Sequence, residues 1–352
     1  MSLASKLQLI KQDVNRARNA VTEMGGSVTK NGGTSQLAAD IKTIPISVGV
    51  LREISPDGTF QIPQSPFKFS LTEDATKLGE NSLRYGFYKA SNLTEIDFSS
   101  LLQITEDTAM SYGFWQCTGL NKVNLSGLAM VDSAEAMNYA FEGCTRLNTL
   151  NLRTLSIVRG RATMYRAFHG CSQLTEVNLP WLLYVGTYED NSAQTEMAYC
   201  FANCSALETL NLGRLKEIGY SSLLQTFQNC TSLETVDIHS LEKIGKSGLG
   251  STFAGCTSLE SVSFNSLNEM RQTALAQTFR GCTNLKHLYF PALTMDSFTE
   301  ANTMAQMLQG VTGCTVHLPA DLDNTTFKNY NFVRNGFGGT KTQIFYDLPT
   351  TS

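Results

Sequence analysis

Large apolar residues return along this chain at a nearly fixed interval, and polar residues fill the positions between them. Phe87, Phe114, Phe141, Phe168, Phe201, Phe227, Phe253 and Phe279 open successive copies of one phrase, 27, 27, 27, 33, 26, 26 and 26 residues apart. From Phe114 to Phe279 the phrase reads Phe-x-x-Cys-[Thr/Ser]-x-Leu-x-x-[Leu/Val]-x-apolar. The first copy carries Ala90 in place of Cys, and a decayed last copy, with Leu308 replacing Phe, ends at Cys314. A period of this length marks a solenoid, in which each unit buries its apolar side only against its neighbours.

Within one period the spacing predicts three pieces. Leu83, Met110, Met137, Met164, Met197, Leu223, Leu249 and Leu275 stand four residues before each Phe. An i, i+4 pair shares one helical face, so a helix of one to two turns is expected there. Gly143, Gly170, Asn203, Asn229, Gly255 and Gly281 then precede the Cys, and these residue types accept the left-handed backbone that ends such a helix. Leu147, Leu150 and Leu152 illustrate the next piece, whose last two apolar residues alternate with polar ones as in a half-buried strand. A further pair such as Leu241 and Ile244 predicts a turn or a second short strand. At about 4.8 Å per stacked strand, eight rungs make a body about 40 Å long.

The phrase resembles the BspA-type leucine-rich repeats found in surface proteins of gut and oral bacteria, in some protists and in phages of such bacteria. The resemblance covers residues 83–320. It implies an α/β repeat fold, a right-handed leucine-rich-repeat solenoid of strand, turn and short helix, with a role in binding or adhesion rather than catalysis. Terminal rungs that depart from the consensus are expected of such arrays.

Ahead of the repeat, Leu3, Leu7, Ile10, Val14, Ala17, Val21 and Met24 form the apolar stripe of an amphipathic helix stopped by Gly25-Gly26. A second helix, capped by Thr34 or Ser35, carries Leu37, Ala38, Ile41 and Ile44 and ends before Pro45. Such a stripe needs a partner: the first rung of the solenoid, another copy of the chain, or a larger assembly. The pattern from Ile10 to Ile44 is similar to a short N-terminal module of phage tail, fibre and other virion proteins. That likeness implies a homo-oligomer, for instance a trimer, and contact with other virion proteins through Leu3, Leu7, Ile10, Val14, Val21, Leu37 and Ile41. The expected organisation is therefore an anchoring and oligomerising helical segment at 1–46, a β-rich junction and N-terminal cap at 47–82, the solenoid at 83–314 and a C-terminal cap at 315–352. In the junction, 48–51, 58–62 and 67–71 read as strands, with Pro56-Asp57-Gly58 turning between the first two.

Composition narrows the function. A net charge of −4 without a basic run is wrong for nucleic acid, which needs clustered Lys and Arg. No apolar run approaches the roughly 20 residues of a membrane span. Seven of the nine cysteines occupy one repeat position, so they are expected as a buried column of free thiols, as in a protein made in a reducing cytosol. Cys200 and Cys204 have ligand-like spacing, but no second pair or nearby His completes a zinc site; no metal or cofactor is expected. The start of the chain lacks the apolar stretch of a secretory signal, which suits a virion protein made in the host cytoplasm. A bacterial cell-surface adhesin with a trimmed signal and an intracellular scaffold are the alternatives.

Catalysis has little to work with. His169, His239, His287 and His317 fall at unrelated repeat positions, and no nucleophile elbow, P-loop or His-Glu-x-x-His motif is present. Outward strand positions form two polar columns: Asp97, Asn124, Asn151, Asn178, Asn211, Asp237, Ser263, Tyr289, and Glu95, Lys122, Thr149, Glu176, Thr209, Thr235, Ser261, His287. These either hydrogen-bond a host-surface glycan or protein, or simply keep the face soluble. The rung of 33 residues carries its surplus within 184–195, and insertions in repeat proteins cluster on one face, often the binding face. Tyr184, Tyr188, Glu189, Asp190 and, in the last rung, Tyr289 are the candidate contacts.

Overall fold

The computed structural model describes residues 53, 54, 60, 61, 65–71, 76–188, 192, 194–298 and 303–349. The expected helices over 1–24 and 34–44, the oligomerisation residues on them and the strand at 48–51 lie outside the described residues.

Stacked coils build a solenoid with two parallel sheets. The first sheet runs in three hydrogen-bonded blocks. Phe67–Ser70, Leu93–Asp97, Lys122–Asn124 and Thr149–Asn151 form one. Glu176–Asn178, Thr209–Asn211 and Thr235–Asp237 form the second, and Ser261–Ser263, His287–Tyr289, Thr315–Pro319 and Gln343–Leu348 the third. Register is one residue per rung at the same column, for example Asn178↔Asn211↔Asp237. The second sheet is an unbroken seven-strand ladder from Gln103–Ile104 to Glu269–Met270. The second apolar pair of each repeat is thus a strand of two or three residues. Both sheets follow from parallel stacking, where within each ladder a strand receives the hydrogen bonds of its equivalent one coil away.

The third face differs from the helix that the i, i+4 spacing predicts. Backbone N–H groups there alternate between two uses. In the second rung Ser111, Gly113, Trp115 and Cys117 donate to carbonyls three residues back, at 2.9–3.3 Å. Met110, Tyr112, Phe114 and Gln116 donate instead to Ala136, Asn138, Ala140 and Glu142 of the next rung, at 2.7–2.9 Å. An α-helix spends every N–H on its own chain; this face is a run of consecutive turns that spends half of them between coils. Every fourth residue is left-handed, as at Thr108 (φ 53°), Tyr112 (φ 54°) and Gln116 (φ 54°). A repeat of four residues also puts i and i+4 on one side, so Met110 and Phe114 are both fully buried although the element is not helical. The Gly and Asn residues before the Cys are left-handed, as the sequence predicts, Gly255 at φ 76° and Asn203 at φ 61° among them.

The core is one continuous column. Phenylalanine rings from Phe87 to Phe279 stack face to face with centroids 5.0–5.8 Å apart and planes within 1–9°. Each buried Phe side chain is worth about 1.5–3 kcal/mol in transfer free energy, and each aromatic pair adds about 0.5–1.5 kcal/mol. At the N-terminal end Phe69 packs on Phe87 at 4.5 Å and on Phe98 at 5.6 Å. At the other end, short helices Thr325–Lys328 and Asn331–Arg334 and the turn Gly336–Gly338 bring Phe327, Phe332 and the fully buried Phe337 into an aromatic cluster with Phe298.

Candidate recognition surface

The cysteine column is structural, and it does more than fill space. Each thiol donates to the carbonyl of the Phe one coil earlier: Cys117 to Phe87 at 3.0 Å, Cys204 to Phe168 at 3.4 Å, and Cys282 to Phe253 at 3.0 Å. The same carbonyl already accepts the backbone N–H of its own rung's Cys, as Phe114 does from Cys117. A thiol is thus the small group that packs and also uses the second lone pair. All nine cysteines are free and buried. Burial pushes the thiols up, to about 12 for Cys204 and Cys282 and in the same direction for Cys144 and Cys171, so they are not nucleophiles at neutral pH.

The Asn column is largely committed as well. The side-chain oxygen of Asn124 accepts the N–H of Ser126, that of Asn151 the N–H of Arg153, and that of Asn211 the N–H of Gly213, at 3.2, 3.4 and 3.0 Å. These Asx turns bend the chain from the first sheet into the corner. Their amide nitrogens bond along the column, Asn124 to Asp97 at 3.0 Å and Asn211 to Asn178 at 3.1 Å. The neighbouring column holds a small ion network, in which Lys122 and then Lys68 hold the Glu95 carboxyl below its ordinary range.

Of the residues singled out in the long rung, Tyr184 is half-buried in its two-residue strand. Tyr188 turns inward rather than outward and is 4% exposed. Its hydroxyl donates to Glu269 at 2.8 Å, three strands along the second sheet, and its ring lies 4.4 Å from the Arg271 guanidinium and 5.5 Å from the Lys243 ammonium. The inward side chain of Tyr188 corrects its expected place as an outward contact; burial and the Glu269 bond push its phenol up to about 12. Glu189 and Asp190 lie outside the described residues. Tyr289 is half-buried and stacks on His317 at 4.5 Å. His317 Nδ1 also donates to the Asp347 carboxylate at 2.9 Å, and its Nε2 lies 3.2 Å from His287 Nδ1. The structure thus joins His287, Tyr289 and His317 across two rungs, although the sequence spreads them over 31 positions.

Sequence reading missed an aromatic line on the turn face, where Tyr85, Tyr112 and Tyr139 stack at 5.0 and 4.6 Å and Tyr88 stacks on Trp115 at 4.8 Å. Its signal was available as Tyr two residues before Phe in the first three rungs, but a helix at that place hides it. His169 is held by Arg166, Glu142 and Asn203 and is a partnered side chain. Among the described residues no group of three or more His, Cys, Asp or Glu is placed to hold a metal ion, and no helix is long and apolar enough to cross a membrane.

A stack of short parallel strands with a wholly consumed consensus and polar outer columns defines a leucine-rich-repeat protein, a class whose fold serves in general as a non-enzymatic interaction scaffold. The family model for the BspA type leucine rich repeat region (6 copies) matches residues 60–188 and 187–305, and the chain belongs to that family. Solved structures with a similar fold include a leucine-rich-repeat protein of T. pallidum, with 17% identity, covering 83% of this chain and 96% of that one at a TM-score of 0.28. The pneumococcal vaccine antigen PcpA is similar at 14% identity, 83% and 82% coverage and a TM-score of 0.32. No curated protein matches the chain.

Proposed function

We propose that this chain is a non-enzymatic structural protein of a phage virion, of fibre or tail type, whose solenoid recognises the surface of the host cell. The observation that carries the recognition role is the division of labour in each rung. Phe, Cys and Leu of the consensus are spent on packing, and the changes of charge and polarity between rungs fall mainly on outward side chains, the arrangement by which repeat scaffolds present a binding face. The virion assignment draws on the likeness of Ile10 to Ile44 to the N-terminal modules of phage tail and fibre proteins. Buried free thiols suit assembly in a reducing cytoplasm. In this reading residues 1–46 anchor and oligomerise the chain, and the partners are further copies of itself, other virion proteins and a host-surface glycan or protein.

Deletion of residues 1–46 tests the arrangement. Light scattering should show the mass falling to that of a monomer while the circular dichroism of the solenoid stays unchanged, and the truncated chain should no longer co-sediment with particles. An unchanged mass sinks the anchoring role. Surface labelling of an exported chain on bacterial cells would instead identify an adhesin.

A further inference from the structure

Two departures from the period meet in one rung. Besides its surplus residues, the rung between Phe168 and Phe201 carries Pro180-Trp181 at the corner where its neighbours carry Arg153-Thr154 and Gly213-Arg214. Trp181 is 54% exposed, the most exposed of the large apolar side chains among the described residues. Pro180 has no N–H, so the Asx turn that holds the corner in adjacent rungs cannot form on Asn178, whose oxygen accepts only from Asn211. The proline ring holds this corner instead, and it sets the indole outward.

Charge gathers at the same corner. Arg214, one coil further, lays its guanidinium 4.4 Å from the Trp181 ring centroid. Arg153, one coil earlier, is exposed, and neither arginine forms a salt bridge among the described residues. Thr154, which precedes Trp181 in the same column, turns its hydroxyl back to the carbonyls of Ser126 and Leu128 at 2.7 and 3.0 Å. The acid of the next rung, Asp237, is bonded to His239 at 2.6 Å. The Arg214 guanidinium thus lies over an exposed indole, and the exposed Arg153 stands one coil before Pro180, on a protein whose net charge is −4.

We infer that the Arg153, Trp181 and Arg214 corner binds an acidic carbohydrate, a sugar whose ring packs on the indole and whose carboxylate is taken by a guanidinium. The two parts of the site match the two parts of a uronic acid. The part of the indole that the Arg214 guanidinium leaves exposed receives the C–H side of a pyranose, and the Arg fork meets a carboxylate bidentately, as an ammonium cannot. A wholly apolar partner would leave two cations desolvated and unpaired, and a neutral sugar would leave them unused. The inference rests on the recognition role proposed above and assigns that role a site and a ligand class.

Calorimetric titration of the full chain with an oligogalacturonate tests it. Binding is expected, weakened about tenfold or more by Trp181→Ala and again by Arg214→Gln, and lost when the carboxylates are reduced to alcohols. Both side chains are exposed, so circular dichroism should not change. Equal affinity of the variants, equal affinity for the reduced oligomer, or capture of a poly-glutamate peptide in preference to the sugar each overturns the inference. A glycan array separates the failures: neutral glycans bound equally by wild type and Trp181→Ala leave the recognition role standing and remove this site, whereas silence on every glycan removes glycan recognition itself.

Discussion

At the scale of the residue, the choice of cysteine has a physical reason that composition conceals. A carbonyl with one lone pair already used by its own rung faces a cavity too small for a larger donor, and a thiol satisfies it across the coil. Replacing Cys204 by Ala should cost about 1–2 kcal/mol, from one weak hydrogen bond and a small void, measured as a lowered denaturation midpoint at constant slope. Native thiols should resist an aromatic disulfide reagent at pH 8, and all nine should react once the chain is unfolded. The pH dependence has a definite sign. Burial raises Cys204, Cys282 and Cys314 to about 12, above the unfolded value of about 8.5. Their contribution is fully present below that value and is lost as pH rises toward 12. Denaturation midpoints should therefore fall between pH 9 and pH 11, and Cys→Ala changes should flatten the fall. A midpoint that rises across that range contradicts the burial of the thiols.

At the scale of the element, the turn face and the inward place of Tyr188 are decided by which partner each group finds. Removing one ring from the column, as in Phe201→Ala, should cost about 3–5 kcal/mol, because two stacked neighbours at 5.2 and 5.5 Å lose their contact together. Tyr188→Phe keeps the ring between Lys243 and Arg271 but removes the bond to Glu269. The loss of about 1 kcal/mol should raise the rate of proteolytic cleavage within 186–195 about fivefold and leave global stability nearly unchanged. Cleavage at the wild-type rate would mean that the cation–π contacts alone hold the loop. A residue of Gly186 sits at φ 73° with Ser222 Oγ where a Cβ would go, so the entry to the loop admits little but glycine.

At the scale of the molecule, each coil touches only its neighbours, so damage should stay local. Phe327→Ala opens the aromatic cluster over the last coil. Hydrogen exchange should then quicken in Thr315–Pro319 and His287–Tyr289 while Lys122–Asn124 keeps its protection. Uniform loss of protection along the chain would show a single cooperative unit instead. If the solenoid recognises a ligand as proposed, the same one-dimensional logic favours the rung that departs from the rest, since a ligand reading identical rungs could not choose a register.

What the sequence by itself determined is the period, and with it the stacked coils. The spacing of Phe, Cys and Leu leaves no other way to bury so regular a pattern, and the alternation in each rung selects the strands. The left-handed Gly and Asn positions were legible for the same reason, since local backbone preference set them. Helix and consecutive turns were not distinguishable, because repeats of 3.6 and of four residues put Met110 and Phe114 on the same side. The destination of each N–H, within the chain or across to the next coil, separates them, and only the stacked neighbour supplies that second acceptor. Contacts distant along the chain were likewise decided by the tertiary structure. Tyr188 reaches a carboxylate 81 residues away, and Trp181 meets Arg214, because stacking turns a sequence separation of one rung into adjacency.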